Sequence, residues 1–382
     1  MIDREDIQAI NYLKKNYSLN DNNIYDTIEE VNFDSNEMLY ITEFNDMPRS
    51  KGPKRVYDRS NYTIRFNLDE VHSLDLSALE YVVNNIQGPC AILFRNSFFA
   101  TGSSAIMAIR KLLFMLGYIE EVANLKDNRN RFYLLDRFSL LVLDPHGDKK
   151  VKLTYEEDNK YISNIYDVNT IQDIDYCLSP RKTGALLDSI DSKVVFEDIA
   201  YLRNGFNMHR LRHLKQYDGD LKDANDKVVC PLSKSNLKNT YIRDNVSAVI
   251  LDDKTNIDDY RINPDKDLVL SVRGGYPSAA IIDADDKRPF IATNNLVIIT
   301  PKENYSKEAV LMYLLSKQFK KYVEAICGDA VLFTLLIKDL CNAPVRGIGN
   351  KDKVAKFKKN REEYVLTCKK ADELRDQVFD YS

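Results

Sequence analysis

Between residues 76 and 86 the apolar side chains Leu76, Leu79, Val82, Val83 and Ile86 recur every three or four residues, the spacing that gathers them on one face of a helix. A Gly-Pro step follows. GPCAILF at 88–94 then runs apolar without alternation, which predicts a short strand buried on both faces. RNSFFATGSS loops into a second helix over Ala105–Leu116, with Gly117 as its C-cap. YIEEVANL (118–125) and RFSLLVLD (137–144) read as two more strands. Strands and helices in this order predict half of an α/β sheet over 75–155. Residues 1–74 are different: acidic, Asn-rich and poorly periodic, with a basic turn PRSKGPKR at 48–55. They read as a mixed, partly peripheral segment whose fold the pattern leaves undetermined.

Residues 156–194 read as a linker with local structure, polar and Asp-rich, leading into DYCLSPRK at 175–182. A second unit is expected over 195–345, with short strands at 195–203, 227–232, 246–251, 268–273, 279–283 and 295–300, then one helix from Ser306 to Ile326. The fold class is therefore α/β plus α+β. The tail, 351–382, has no Gly or Pro and places Val354, Phe357, Tyr364, Cys368, Ala371 and Val378 at heptad a and d positions, interrupted by Arg361 and Arg375. That pattern fits either a helix docked on another helix or an ordinary amphipathic terminal helix.

Bulk properties narrow the picture only slightly. At 382 residues, 44% hydrophobic, the chain can bury more than one core. Net charge of −4 does not advertise a nucleic-acid binder, although local patches matter more than the total. The six cysteines are scattered without a CxxC pair, so they predict neither a zinc site nor a disulfide framework. The charged N-terminus lacks a signal-type apolar core, and no apolar run approaches the roughly 18 residues of a membrane span. A cytoplasmic chain with reduced thiols is the expectation.

One stretch carries candidate chemistry. LVLSVRGGYPSAAII (268–282) places Arg273 and Tyr276 beside a Gly-Gly pair between two strand-like runs, a hairpin signal. An arginine there can grip guanine in a major groove, or close a surface salt bridge. Asn294 and Asn295 suit adenine readout or a turn. Arg203, Asn204, Lys234, Lys238 and Lys338 could position phosphates. His209 and His213 have the i, i+4 spacing of metal ligands, but Arg210 and Arg212 between them would repel a dication. Those arginines instead fit a phosphate-facing patch or a solvated loop. The acidic strings DADD (283–286) and DDKTNIDD (252–259) lack a nuclease arrangement and read as solvated turns. No metal or cofactor is expected.

The order PDKDLVLSVRGG (264–275), IATNNLVIIT (291–300), LMYLLSKQFKKYVEAI (311–326) and GDAVLFTLLIKDLCNAPV (328–345) resembles a target recognition domain of type I restriction-modification specificity subunits, and the tail resembles the helix that follows such domains. GPCAILFRNSFFATG (88–102), GYIEEVANL with FSLLVLD (117–144) and DIDYCLSPRKT (173–183) resemble the C-terminal part of type I N6-adenine DNA methyltransferases and its link to a recognition domain. The departures are informative. That family holds S-adenosylmethionine on a Gly-rich loop and the flipped adenine with Asn-Pro-Pro-Tyr/Phe. Here Gly52 is the one glycine before Gly88, and the only Asn-Pro, Asn263–Pro264, continues with Asp. The resemblance implies a non-catalytic reader of double-stranded DNA, with a methyltransferase-like remnant, a methyltransferase subunit as candidate partner, and candidate dimerisation through the C-terminal helix. Two other readings stay open: one part of a split N6-adenine methyltransferase completed by another chain, and an interaction protein that has lost DNA binding.

Overall fold

The computed structural model describes residues 4–42, 59–66, 74–100, 103–125, 138–157, 159–208, 215–221, 225, 227–238, 240–242, 246–251, 256–274, 276–327 and 334–379. The chain is mixed α/β and divides into two units, with the boundary between Leu187 and Asp188. The basic turn at 48–55, His209, Arg210, Arg212 and His213 lie outside the described residues.

Unit 1 is built on a seven-stranded mixed sheet. Its strands are β1 (Ile24–Tyr25), β2 (Leu39–Ile41), β3 (Cys90–Arg95), β4 (Ile119–Asn124), β5 (Phe138–Leu143), β6 (Lys150–Glu157) and β7 (Lys160–Asp167), in the spatial order β1-β2-β3-β5-β4-β6-β7. β1, β2 and β3 are parallel, β5 inserts antiparallel between β3 and β4, and β7 is the far edge. The expected strand at 88–94 is β3, and it is buried on both faces. Cys90, Ile92 and Phe94 enter one core with α2 (Leu74–Asn85) and α4 (Ser104–Met115), while Ala91 and Leu93 enter a second core under α1 (Arg4–Tyr17). Gly117 ends α4 at φ +82°.

Two expectations for unit 1 need correction. The first described residues are not peripheral: β1 and β2 extend the sheet, and α1 packs on one face of it. Segment 156–194 is not a linker. Its first part forms the β6–β7 hairpin, and its remainder includes α5 (Val168–Asp173) and α6 (Pro180–Ile190).

Polar side chains fix α1 to the sheet. Glu121, on β4, has no exposed surface. Its carboxylate accepts hydrogen bonds from Tyr12 Oη at 2.6 Å, Tyr17 Oη at 2.5 Å and the Thr154 hydroxyl, and Lys152 Nζ stands 3.2 Å away. Burial and Glu121 raise both tyrosine pKa values, so both phenols stay protonated as donors. On the opposite side Arg110 is 1% exposed, and it donates to the carbonyls of Tyr176, at 2.8 Å, and Phe98. It thereby holds the turn in which Asp175 and Tyr176 take positive φ.

Unit 2 contains two four-stranded sheets and a small hairpin. The first sheet runs β15 (Ala279–Ile281), β14 (Leu268–Ser271), β17 (Leu296–Pro301), β8 (Ala200–Asn204), all antiparallel. The second runs β16 (Phe290–Ala292), β10 (Val228–Leu232), β13 (Val249–Ile250), β9 (Lys215–Gln216). β11 (Leu237–Lys238) and β12 (Tyr241–Ile242) form the hairpin. A short helix, α7 (Phe196–Ile199), occupies the start of the expected 195–203 strand, and β9, β11, β12 and β16 add to the expected set. The single helix expected over 306–326 is two, α8 (Lys307–Leu314) and α9 (Lys317–Cys327). Ser316 divides them, since its hydroxyl caps the N–H of Phe319 at 3.1 Å. α10 (Ile337–Cys341) follows.

The tail helix α11 (Lys351–Phe379) packs on its own unit. Arg361, expected to interrupt a seam, is instead an anchor: its guanidinium donates to the carbonyls of Thr240 and Ile281 and lies 3.6 Å from Asp283. Asp372 receives Lys238 Nζ at 2.6 Å and Tyr241 Oη at 3.1 Å. Thr240 therefore sits under the helix at φ +92° with its buried hydroxyl unpartnered. A β-branched residue at positive φ costs roughly 1–3 kcal/mol, and the second loop position of this two-residue hairpin favours Gly. Thr240→Gly should stabilise unit 2 by about 1 kcal/mol after the added chain entropy of glycine. Urea unfolding followed by circular dichroism checks this, and an unchanged or lower midpoint would count against the strain.

Candidate nucleic-acid interface

Strand directions in unit 2 bring several loops to one end of its sheets. β14 leaves at Ser271 and β15 returns at Ala279, so the Arg273–Tyr276 loop projects there. β8 runs antiparallel to β17, which places the end of β8 at Asn204 beside the start of β17. β10 and β16 are parallel, so Leu232 and Ala292 end together, and the Thr293–Asn295 turn links β16 to β17. The 232–236 segment therefore opens on the same end.

Backbone bonds lock these loops together. Val272 N–H donates to Asn295 C=O at 2.9 Å, Leu335 N–H donates to Val272 C=O at 2.9 Å, and Gly205 N–H donates to Leu296 C=O at 3.0 Å. Position 205 admits only glycine, because a Cβ there would lie 1.9 Å from Thr293 O. The Gly-Gly turn is wider than a tight hairpin: Ser271 N–H pairs with Ser278 C=O, and Arg273 is bridged to Thr334. Lys234 Nζ crosses to the carbonyl of Gly274 at 2.6 Å, and burial lowers its pKa.

The side chains on this end are cationic, aromatic and amide-bearing. Arg273 and Asn204 are exposed, Asn294 and Asn295 half-buried. Tyr276 is 40% exposed, and Lys320 of α9 lies over its ring at 5.7 Å from the centroid. Burial, with Glu324 nearby, raises the Tyr276 phenol and keeps it a hydrogen-bond donor. α9 buries Phe319, Tyr322, Val323 and Ile326 and exposes Lys317, Lys320 and Lys321. The amphipathic spacing of KQFKKYVEAI already separates these faces, but the placement of Lys320 beside Tyr276 needs the tertiary fold.

Two sequence-selected cations are engaged by carboxylates of their own unit. Arg203 pairs with Asp267, 2% exposed, at 2.9 Å and donates to the carbonyl of Asp259 at 2.9 Å. Lys238 is held by Asp372. Lys338 is exposed on α10. Among the described residues no group of three His, Cys, Asp or Glu side chains could hold a metal ion, and no helix is long and apolar enough to cross a membrane.

No protein-family model and no curated protein matches the chain. Three similar solved structures are restriction-modification proteins. The type IIL restriction-modification enzyme MmeI, in complex with DNA, shares 11% identity over 73% of this chain and 42% of its own, with a TM-score of 0.40. The type IIG restriction endonuclease BpuSI shares 10% identity over 75% of this chain and 44% of its own, with a TM-score of 0.36. The methyltransferase subunit of a type I restriction-modification system from Streptococcus thermophilus shares 18% identity over 28% of this chain and 29% of its own, with a TM-score of 0.23. The chain spans less than half the length of each.

Proposed function

We propose that unit 2 reads duplex DNA in a sequence-specific manner through the end of its sheets that carries Arg273, and that the chain acts as a specificity-type subunit without catalysis of its own. The observation that carries this reading is convergence. Residues far apart in sequence, Asn204, Lys234, Arg273, Tyr276, Asn294 and Asn295, belong to interlocked loops at one end of the two sheets. The chemistry suits the task. Arginine and asparagine match guanine and adenine edges. Lysines supply phosphate contacts that fix register without reading sequence. Rigid backbone support is what a base-reading side chain needs.

Selection from a random duplex pool by the purified chain, at low and at physiological salt, tests the reading. An enriched motif that survives physiological salt supports it and gives the recognised bases. Binding that shows no enrichment and disappears as salt rises would reduce the surface to a non-specific polycation. Absence of binding at low salt would overturn the proposal.

A further inference from the structure

β7 ends the seven-stranded sheet, and among the described residues its one pairing is to β6. It is eight residues long, and most of it is exposed on both faces. Such an edge presents a row of free N–H and C=O groups. Natural edges are commonly blunted by central charges or by Pro, and this one is not: Tyr161–Tyr166 reads YISNIY, without a charge or a Pro. Ile165 is 68% exposed and Tyr161 45%.

We propose that β7 pairs with the β7 of a second copy of this chain, antiparallel, across a two-fold axis at Ser163. The strand's own symmetry selects this occupant. In an antiparallel pair, residues directly opposite one another share a face of the sheet, so a two-fold pairing joins positions equally spaced about a central residue. Centred on Ser163, Tyr161 of each chain meets Ile165 of the other. The two exposed apolar side chains of the strand thus cover each other twice, on the face that carries α1, where Tyr161 lies edge-on to Tyr12 at 5.2 Å. Ile162 meets Asn164 on the opposite face. At the two ends Lys160 of each chain stands opposite Tyr166 of the other, so no like charges are set against each other. Centring the pair on Asn164 would instead set Ile165 against Ser163 and Tyr161 against Asp167. A single strand pair is a small interface, so the dimer is reversible.

The test uses the full chain with the two half-buried thiols, Cys341 and Cys368, changed to serine; Cys90, Cys177, Cys230 and Cys327 are buried. In that background Ser163→Cys stands opposite itself, at a separation a disulfide can span. Mild oxidation should give a covalent dimer from Ser163→Cys and much less from Asn164→Cys. Sedimentation velocity without the added cysteines should show a concentration-dependent dimer that Ile165→Lys abolishes and Leu374→Lys, on the exposed face of α11, leaves intact. Circular dichroism confirms that both variants are folded. A chain monomeric at all concentrations, a dimer abolished by Leu374→Lys and kept with Ile165→Lys, or a cross-link favouring position 164 would each overturn the proposal. None of these readouts involves DNA, so the result is independent of the reading proposed for unit 2.

Discussion

Glu121→Ala is expected to destabilise unit 1 by roughly 3–5 kcal/mol, the cost of removing one member of a buried charged network. The residue is fully buried, and its carboxylate is the shared acceptor for Tyr12, Tyr17 and Thr154 and the counter-ion of Lys152. Its removal strands the phenols of Tyr12 and Tyr17, while the Thr154 hydroxyl keeps Ser163 as a partner at 2.8 Å, and each buried unpaired group costs about 1–3 kcal/mol. Lys152 is 30% exposed and can turn to solvent, which keeps the total below the sum. Glu121→Gln should cost less, because its amide still offers one acceptor oxygen. The chain has no Trp and 23 Tyr, so urea unfolding is best followed by circular dichroism together with tyrosine emission. Two units with separate cores should give two transitions. The one assigned to unit 1 should move to lower urea while the other stays. A loss below about 1 kcal/mol would mean that the network is incidental to the docking of α1.

How much of the fold is legible in the sequence depends on where the partners of each residue lie. β3 and β5 are readable because continuous apolar runs mark strands buried on both faces, and α2 because its periodicity is local. α1 escapes such a reading because polar groups help seat it: Tyr40 Oη donates to Asp6 at 2.6 Å, and Tyr12 reaches Glu121 across 109 residues of chain. β7 escapes it because an edge strand exposed on both faces does not alternate. Of the candidate site, the Arg273–Tyr276 loop and the Asn294–Asn295 turn are visible as turn chemistry between strands. The roles of Arg203 and Lys238 are not, since their carboxylate partners lie 64 and 134 residues away. A solvated cation and a paired one look the same in sequence. Arg361 misleads for the same reason, as a polar break in a heptad that proves to be a buried anchor of its helix.

That distinction separates the variants that bear on recognition. If Arg273 reads a base edge, Arg273→Ala should weaken binding to the selected sequence by about 1–3 kcal/mol, roughly 5- to 150-fold. It should also relax the preference at one base pair and leave stability unchanged, because the side chain is exposed. Lys320→Ala, on the neighbouring helix, should act differently: if this exposed charge meets a phosphate, its removal weakens binding to all sequences alike and lowers the salt slope by about one. Arg203→Ala supplies the contrast. It leaves Asp267, 2% exposed, without its guanidinium, so it should lower the unfolding midpoint of unit 2 with no change in base preference. Binding isotherms on the selected duplex and on a scrambled one, across a salt series, separate the three patterns. Unchanged discrimination in Arg273→Ala would move readout away from the hairpin loop. The Asn294–Asn295 turn would then be the remaining base-reading element of that end, because it is held to the same loop through the Val272–Asn295 bond and carries the amides that adenine requires.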